Sequence, residues 1–110
     1  MGFKLTLIVL AVASLVISGC ATIKLTESGE KVRVLAPDEV SSCREIGKSN
    51  TSVTDVVLGV ARPIEALQKE LTMIGRNSAA RMGGDTIVPL TVIQEGQQSF
   101  VVYKCIDPSN

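Results

Sequence analysis

Residues Pro63 to Met82 constrain the fold more than any other stretch of this chain. Ile64, Leu67, Leu71, Ile74, Ser78 and Met82 recur at spacings of three and four, which places them on one face of a helix. Pro63 suits a helix's first turn, where its missing N–H costs nothing. Glu65 and Lys69 sit four apart in the favourable order on the other side. Gly83-Gly84 supplies a left-handed cap at the end. Twenty residues at about 1.5 Å each give roughly 30 Å of helix. The stripe thins to Gly75, Ser78 and Ala79, and small residues there let a helix approach a sheet closely.

A helix that long must bury its stripe on something, and the flanking segments read as strands. Lys31 to Leu35 alternates charged with apolar, Val32 and Val34 being the apolar members, and Ala36-Pro37-Asp38 breaks it. A second strand is expected around Ser42 to Lys48, with Ser49 to Ser52 as a loop. Val53 to Ala61 is rich in β-branched residues around Gly59 and fits either a strand extension or a linker. Thr86 to Ile93 reads as a strand that Pro89 pushes to an edge or a bulge. Glu95-Gly96-Gln97 is a turn, and Ser99 to Ile106 is the last strand, with Val101, Tyr103 and Cys105 on one face. The order β-β-α-β-β predicts an α+β fold: a small, mainly antiparallel sheet with the long helix packed on one face.

The chain has 110 residues, enough for one domain. Its first nineteen residues read as a leader rather than as part of that domain. Lys4 and the N-terminus form a small positive region, Leu5 to Ile17 is an uncharged and mostly apolar run, and Ser18-Gly19 is a small-residue cleavage site. The run falls short of the roughly 20 residues a spanning helix needs. The site Ile17-Ser18-Gly19-Cys20 resembles the bacterial lipobox, an aliphatic residue and two small ones before a cysteine. The resemblance implies that Cys20 is acylated and becomes the mature N-terminus. Several acyl chains make a stable anchor where one is marginal. Ala21 follows Cys20 where enterobacterial lipoproteins kept at the inner membrane carry aspartate, which favours the outer membrane. Ala21 to Glu30 is small and polar and reads as a tether. The expected organisation is residues 1–19 as signal peptide, 20–31 as lipidated tether and 32–110 as a periplasmic domain.

With Cys20 acylated, Cys43 and Cys105 remain. An even pair in an exported domain is most simply a disulfide, and a domain this small gains from such a staple. Other uses of the pair compete with that one. A metal site needs more ligands than two cysteines in a chain without histidine, and a redox-active pair usually has Cys-x-x-Cys spacing. A redox-sensing bond stays open.

The charge balance is even, with eleven basic and eleven acidic residues, and loss of Lys4 with the leader leaves one acid in excess. There is no basic stripe, and one tyrosine and two phenylalanines are too few for a base-stacking surface, which argues against nucleic-acid binding. The absence of histidine removes Cys-His and Ser-His catalytic pairings. Ser28-Gly29-Glu30-Lys31 matches the Ser-x-x-Lys pattern of some acyl-transfer enzymes, but without their partner motifs. Asp38-Glu39 reads as solvated turn carboxylates, and Gly83-Gly84-Asp85 lacks the lysine and spacing of a phosphate loop. No catalytic residue, cofactor site or metal site is expected.

Three segments together carry a resemblance: Cys43-Arg44-Glu45-Ile46-Gly47, then Asn77-Ser78-Ala79-Ala80-Arg81-Met82-Gly83-Gly84-Asp85, then Tyr103-Lys104-Cys105. Over roughly residues 32–106 the chain resembles a family of small Gram-negative lipoproteins of unknown function, similar to the Rcs stress-sensor lipoprotein of the outer membrane. The resemblance implies a Cys43–Cys105 disulfide and a helix-to-strand junction at Ala79 and Gly83-Gly84. The expected function is a non-enzymatic envelope role with an envelope protein as partner. A stress or redox sensor is the alternative.

Overall fold

The computed structural model describes residues 23–106. The expected leader, Met1 to Gly19, and Cys20 and Ala21 lie outside the described residues. The long helix, α2, runs from Ile64 to Arg81 with Pro63 as its N-cap. A four-residue helix, α1 (Glu27–Glu30), precedes the sheet strands. The four-stranded sheet consists of β1 (Arg33–Val34), β2 (Arg44–Ser52), β5 (Thr86–Pro89) and β6 (Gln97–Lys104) in the order β1-β5-β6-β2. β1 runs parallel to β5, whereas β5–β6 and β6–β2 are antiparallel. The fold is α+β: a mixed sheet with one long helix on one face.

The helix buries Leu67, Leu71, Gly75 and Ala79, four residues apart at each step. Of the expected stripe, Leu67 and Leu71 are buried, and Ile74 and Ser78 are half-buried beside Gly75 and Ala79. Ile64 is 54% exposed and Met82 41%, although the Met82 methyl lies over Gly47 of β2. From the sheet, Ile87, Phe100 and Val102 pack with Val32 and Ala79 to form the core. An added Cβ on Gly75 would lie 2.9 Å from the Phe100 ring, so the small-residue end of the stripe is where helix and sheet touch most closely. The helix closes with Gly83 at φ 85°. Gly83 N–H bonds to the Ala80 carbonyl and Gly84 N–H to that of Ala79, the paired bonds of a Schellman ending.

Several segments differ from expectation. The strand read over Thr86 to Ile93 stops at Pro89, and it lies between β1 and β6 rather than at an edge. Ser49 to Ser52 continues β2 rather than looping, because each of its residues pairs with Phe100 to Gln97 in register. Their polarity disguises them, yet Ser49 and Thr51 are buried, and the Thr51 hydroxyl donates to the Gln98 carbonyl at 2.7 Å. Val53 to Ala61 contains a separate hairpin, β3 (Val56–Val57) with β4 (Val60–Ala61). Its turn residues Leu58 and Gly59 have φ 52° and 77°, as a two-residue type I′ hairpin requires. Glu95-Gly96 makes a second such turn, with φ 51° and 72°, between β5 and β6.

The tether differs too. From Lys24 onward it is built into the domain. The Asn77 side-chain amide donates to the Lys24 carbonyl at 2.8 Å, and its Oδ1 accepts from the Thr26 N–H at 2.9 Å. Arg76 donates to the Glu30 and Val32 carbonyls at 2.9 Å each. The Thr26 hydroxyl caps α1 by accepting from Gly29 N–H. Gly29 is buried against Asn77, where no side chain fits. Small polar residues here serve helix capping and close approach, not flexibility.

Candidate functional site

Cys43 and Cys105 form a disulfide, with Cα atoms 4.3 Å apart. It ties the residue before β2 to the residue after β6, beside the Arg44–Lys104 pair that ends the ladder. Both cysteines are half-buried. The other expected site residue, Cys20, lies outside the described residues.

Asp85 fastens the same end of the molecule. Its carboxylate accepts from Cys105 N–H at 2.8 Å, Ile106 N–H at 2.7 Å and the Thr86 hydroxyl at 3.0 Å. Burial pushes its carboxyl up. The two backbone N–H groups, the Thr86 hydroxyl and nearby Lys104 pull it down, and the net displacement is downward. Asp85 is thus a structural clamp rather than part of a phosphate loop. Its backbone joins in, accepting from Arg33 N–H and donating to the Tyr103 carbonyl.

A shallow concavity of about 270 Å³ lies beside this clamp, lined in part by Ser28, Lys31, Gly84 and Lys104. Ser28 and Lys31 of the Ser-x-x-Lys match therefore share one concavity, but both are exposed at the end of a single helical turn. Among the described residues, no three histidine, cysteine, aspartate or glutamate side chains converge as a metal site would need. Asp38 and Glu39 sit in a 3₁₀ turn, where Glu39 caps Ala36 N–H.

The opposite end of the helix is apolar. The β3–β4 hairpin exposes Val56, Val57, Leu58 and Val60, with Leu58 98% exposed. Its base is tied down. Arg62 N–H bonds to the Asp55 carbonyl. The Arg62 guanidinium reaches the Thr54 carbonyl at 2.8 Å and grips both Glu70 oxygens at 2.7 and 2.9 Å. That pairing holds the Glu70 carboxyl below its usual range. An apolar groove of about 440 Å³ opens near the helix start, between Ile64 and the Pro89–Ile93 segment. Gln68, Gln98 and Thr91 form its polar floor through hydrogen bonds at 2.9 and 3.1 Å.

Sequence reasoning missed this apolar end. The signal was present in Val56-Val57-Leu58-Gly59-Val60-Ala61, two apolar pairs around a residue-glycine turn. Leucine in place of the usual asparagine or aspartate hid it.

Residues 23–105 match a family described as "Domain of unknown function (DUF4156)". No curated protein and no solved structure matches the chain. Among the described residues, no helix is long and apolar enough to cross a membrane.

Proposed function

The chain belongs to the DUF4156 family of domains of unknown function, and we propose that this member is a lipid-anchored envelope lipoprotein with a non-enzymatic interaction role in the periplasm. The Cys43–Cys105 disulfide is the observation that carries this reading. Such bonds persist in oxidising compartments and are rare in the cytosol. With that pair joined, Cys20 is the one cysteine left over, and it stands where the lipobox pattern Ile17-Ser18-Gly19 puts an acylated residue. Ala21 favours the outer membrane. The apolar groove between Ile64 and the Pro89–Ile93 segment is the surface such a protein would offer to an envelope partner, since apolar exposure of this kind marks interaction sites.

Metabolic labelling with a fatty-acid analogue, followed by membrane fractionation, tests the anchor. The native chain should label and sediment with the outer membrane, and Cys20→Ser should do neither. Undiminished labelling of Cys20→Ser would overturn the assignment. Crosslinking in whole cells then identifies the partner.

The half-exposure of the disulfide favours a second reading, an envelope-stress or redox sensor similar to the Rcs lipoprotein. In that case Cys43→Ser changes the output of an envelope-stress reporter. A reporter unmoved by deletion, overproduction and Cys43→Ser alike ends that reading.

A further inference from the structure

We propose that the β3–β4 hairpin dips its tip into the lipid bilayer, giving the domain a second membrane contact beside the acylated cysteine; the proposal rests on the anchor reading for its proximity to the membrane. Residues Val56 to Ala61 contain no polar side chain, and Val56, Val57 and Val60 are 49%, 50% and 68% exposed. Neighbours along a strand point to opposite faces, so Val56 and Val57, like Val60 and Ala61, present apolar surface on both sides of the ribbon. A flat protein partner covers one side and leaves the other in water. A surrounding apolar medium covers both.

Leu58 points the same way. It occupies a left-handed position, φ 52°, where asparagine, aspartate or glycine is preferred, and at 98% exposure it packs against nothing in the domain. The fold gains nothing from leucine there, whereas a bilayer does. Two-residue strands and a two-residue turn reach roughly 10 Å, the depth of the headgroup–acyl boundary and far short of a span. Asp55 and the Arg62–Glu70 ion pair stand at the base of the tip, where headgroups would lie.

The geometry lets both contacts form at once. Cys20 lies four residues from Lys24, at most roughly 14 Å of extended chain, and Lys24 is fastened to Asn77. From Asn77 back to Ile64, beside the hairpin, α2 covers roughly 20 Å. A domain lying with α2 along the membrane therefore reaches it with the anchor at one end and the hairpin at the other.

The chain has no tryptophan, so Leu58→Trp supplies a single tryptophan, excited selectively over tyrosine, at an exposed position, and Lys48→Trp on β2 serves as its counterpart away from the tip. Each variant, as lipidated mature protein, is reconstituted in phosphatidylcholine vesicles with and without brominated acyl chains. Emission from the Leu58→Trp protein should shift to the blue and be quenched several-fold more strongly than emission from the Lys48→Trp protein. An unshifted, unquenched Leu58→Trp signal overturns the proposal, as does equal quenching in both variants. A blue shift that rises with protein concentration without quenching assigns the hairpin to a second copy and also overturns it. Fatty-acid labelling of the same preparations reads the anchor separately. If the chain is unlabelled but Leu58→Trp emission is quenched on added vesicles, the anchor fails and the hairpin stands. A labelled chain with unquenched Leu58→Trp emission shows the reverse.

Discussion

Asp85 fastens the chain beyond the end of β6, because one carboxylate holds two backbone N–H groups there. Its folded proton affinity lies below that of the unfolded chain. The stability it contributes is therefore present above about pH 4 and is lost as the pH falls through its lowered folded value. Asp85→Asn should cost about 1–2 kcal/mol near pH 7, as expected for hydrogen bonds to a charged group. The gap between the two proteins should close as the pH falls through that lowered value; urea denaturation over a descending pH series checks this, and an unchanged gap would count against the clamp. Asn77→Ala removes the bonds to Lys24 and Thr26 and should cost about 1–2 kcal/mol. Limited proteolysis should then cut between Lys24 and Lys31, where the native chain resists. Neither role is legible in the sequence. Both residues read there only as members of the helix-to-strand motif, since their partners lie far along the chain.

Among the elements, α2 is the most legible, because its period is long and its ends are marked by Pro63 and Gly83. The thinning of its stripe to Gly75, Ser78 and Ala79 also marks where the helix comes close to the sheet. That contact falls at Gly75, where Phe100 fills the space a side chain would take. Gly75→Ala therefore sets a helix-propensity gain of about 1 kcal/mol against overpacking of about 1–3 kcal/mol. A net loss is expected, read as a lower urea midpoint with an unchanged slope. At the hairpin the balance runs the other way. Leu58→Asn suits the turn and gives up no packing, so thermal unfolding should show equal or slightly higher stability, by up to about 1 kcal/mol. β2 reads short in the sequence because Ser49 and Thr51 are polar, and only pairing with β6 explains their burial.

For the whole molecule, the α+β class is legible from element order and the disulfide from cysteine parity. The parallel pairing of β1 with β5 is not, since it depends on the N-terminal segment folding back over the helix end. The disulfide closes a separation of 62 residues, worth roughly 4 kcal/mol by chain entropy. That is a large share of a stability of about 5–15 kcal/mol. Reduction, or Cys43→Ser with Cys105→Ser, should lower the thermal midpoint by several degrees or more, and the lipidated protein should show no free thiol when denatured without reductant. The same bond also sets how the molecule answers tension. Pulled from its N-terminus, the chain first sheds the Lys24 and Thr26 attachments and then unwinds only as far as Ser42, roughly 65 Å at full extension. The covalent ring from Cys43 to Cys105 stops the unravelling there, so most of the sheet and all of α2 lie behind a fixed limit.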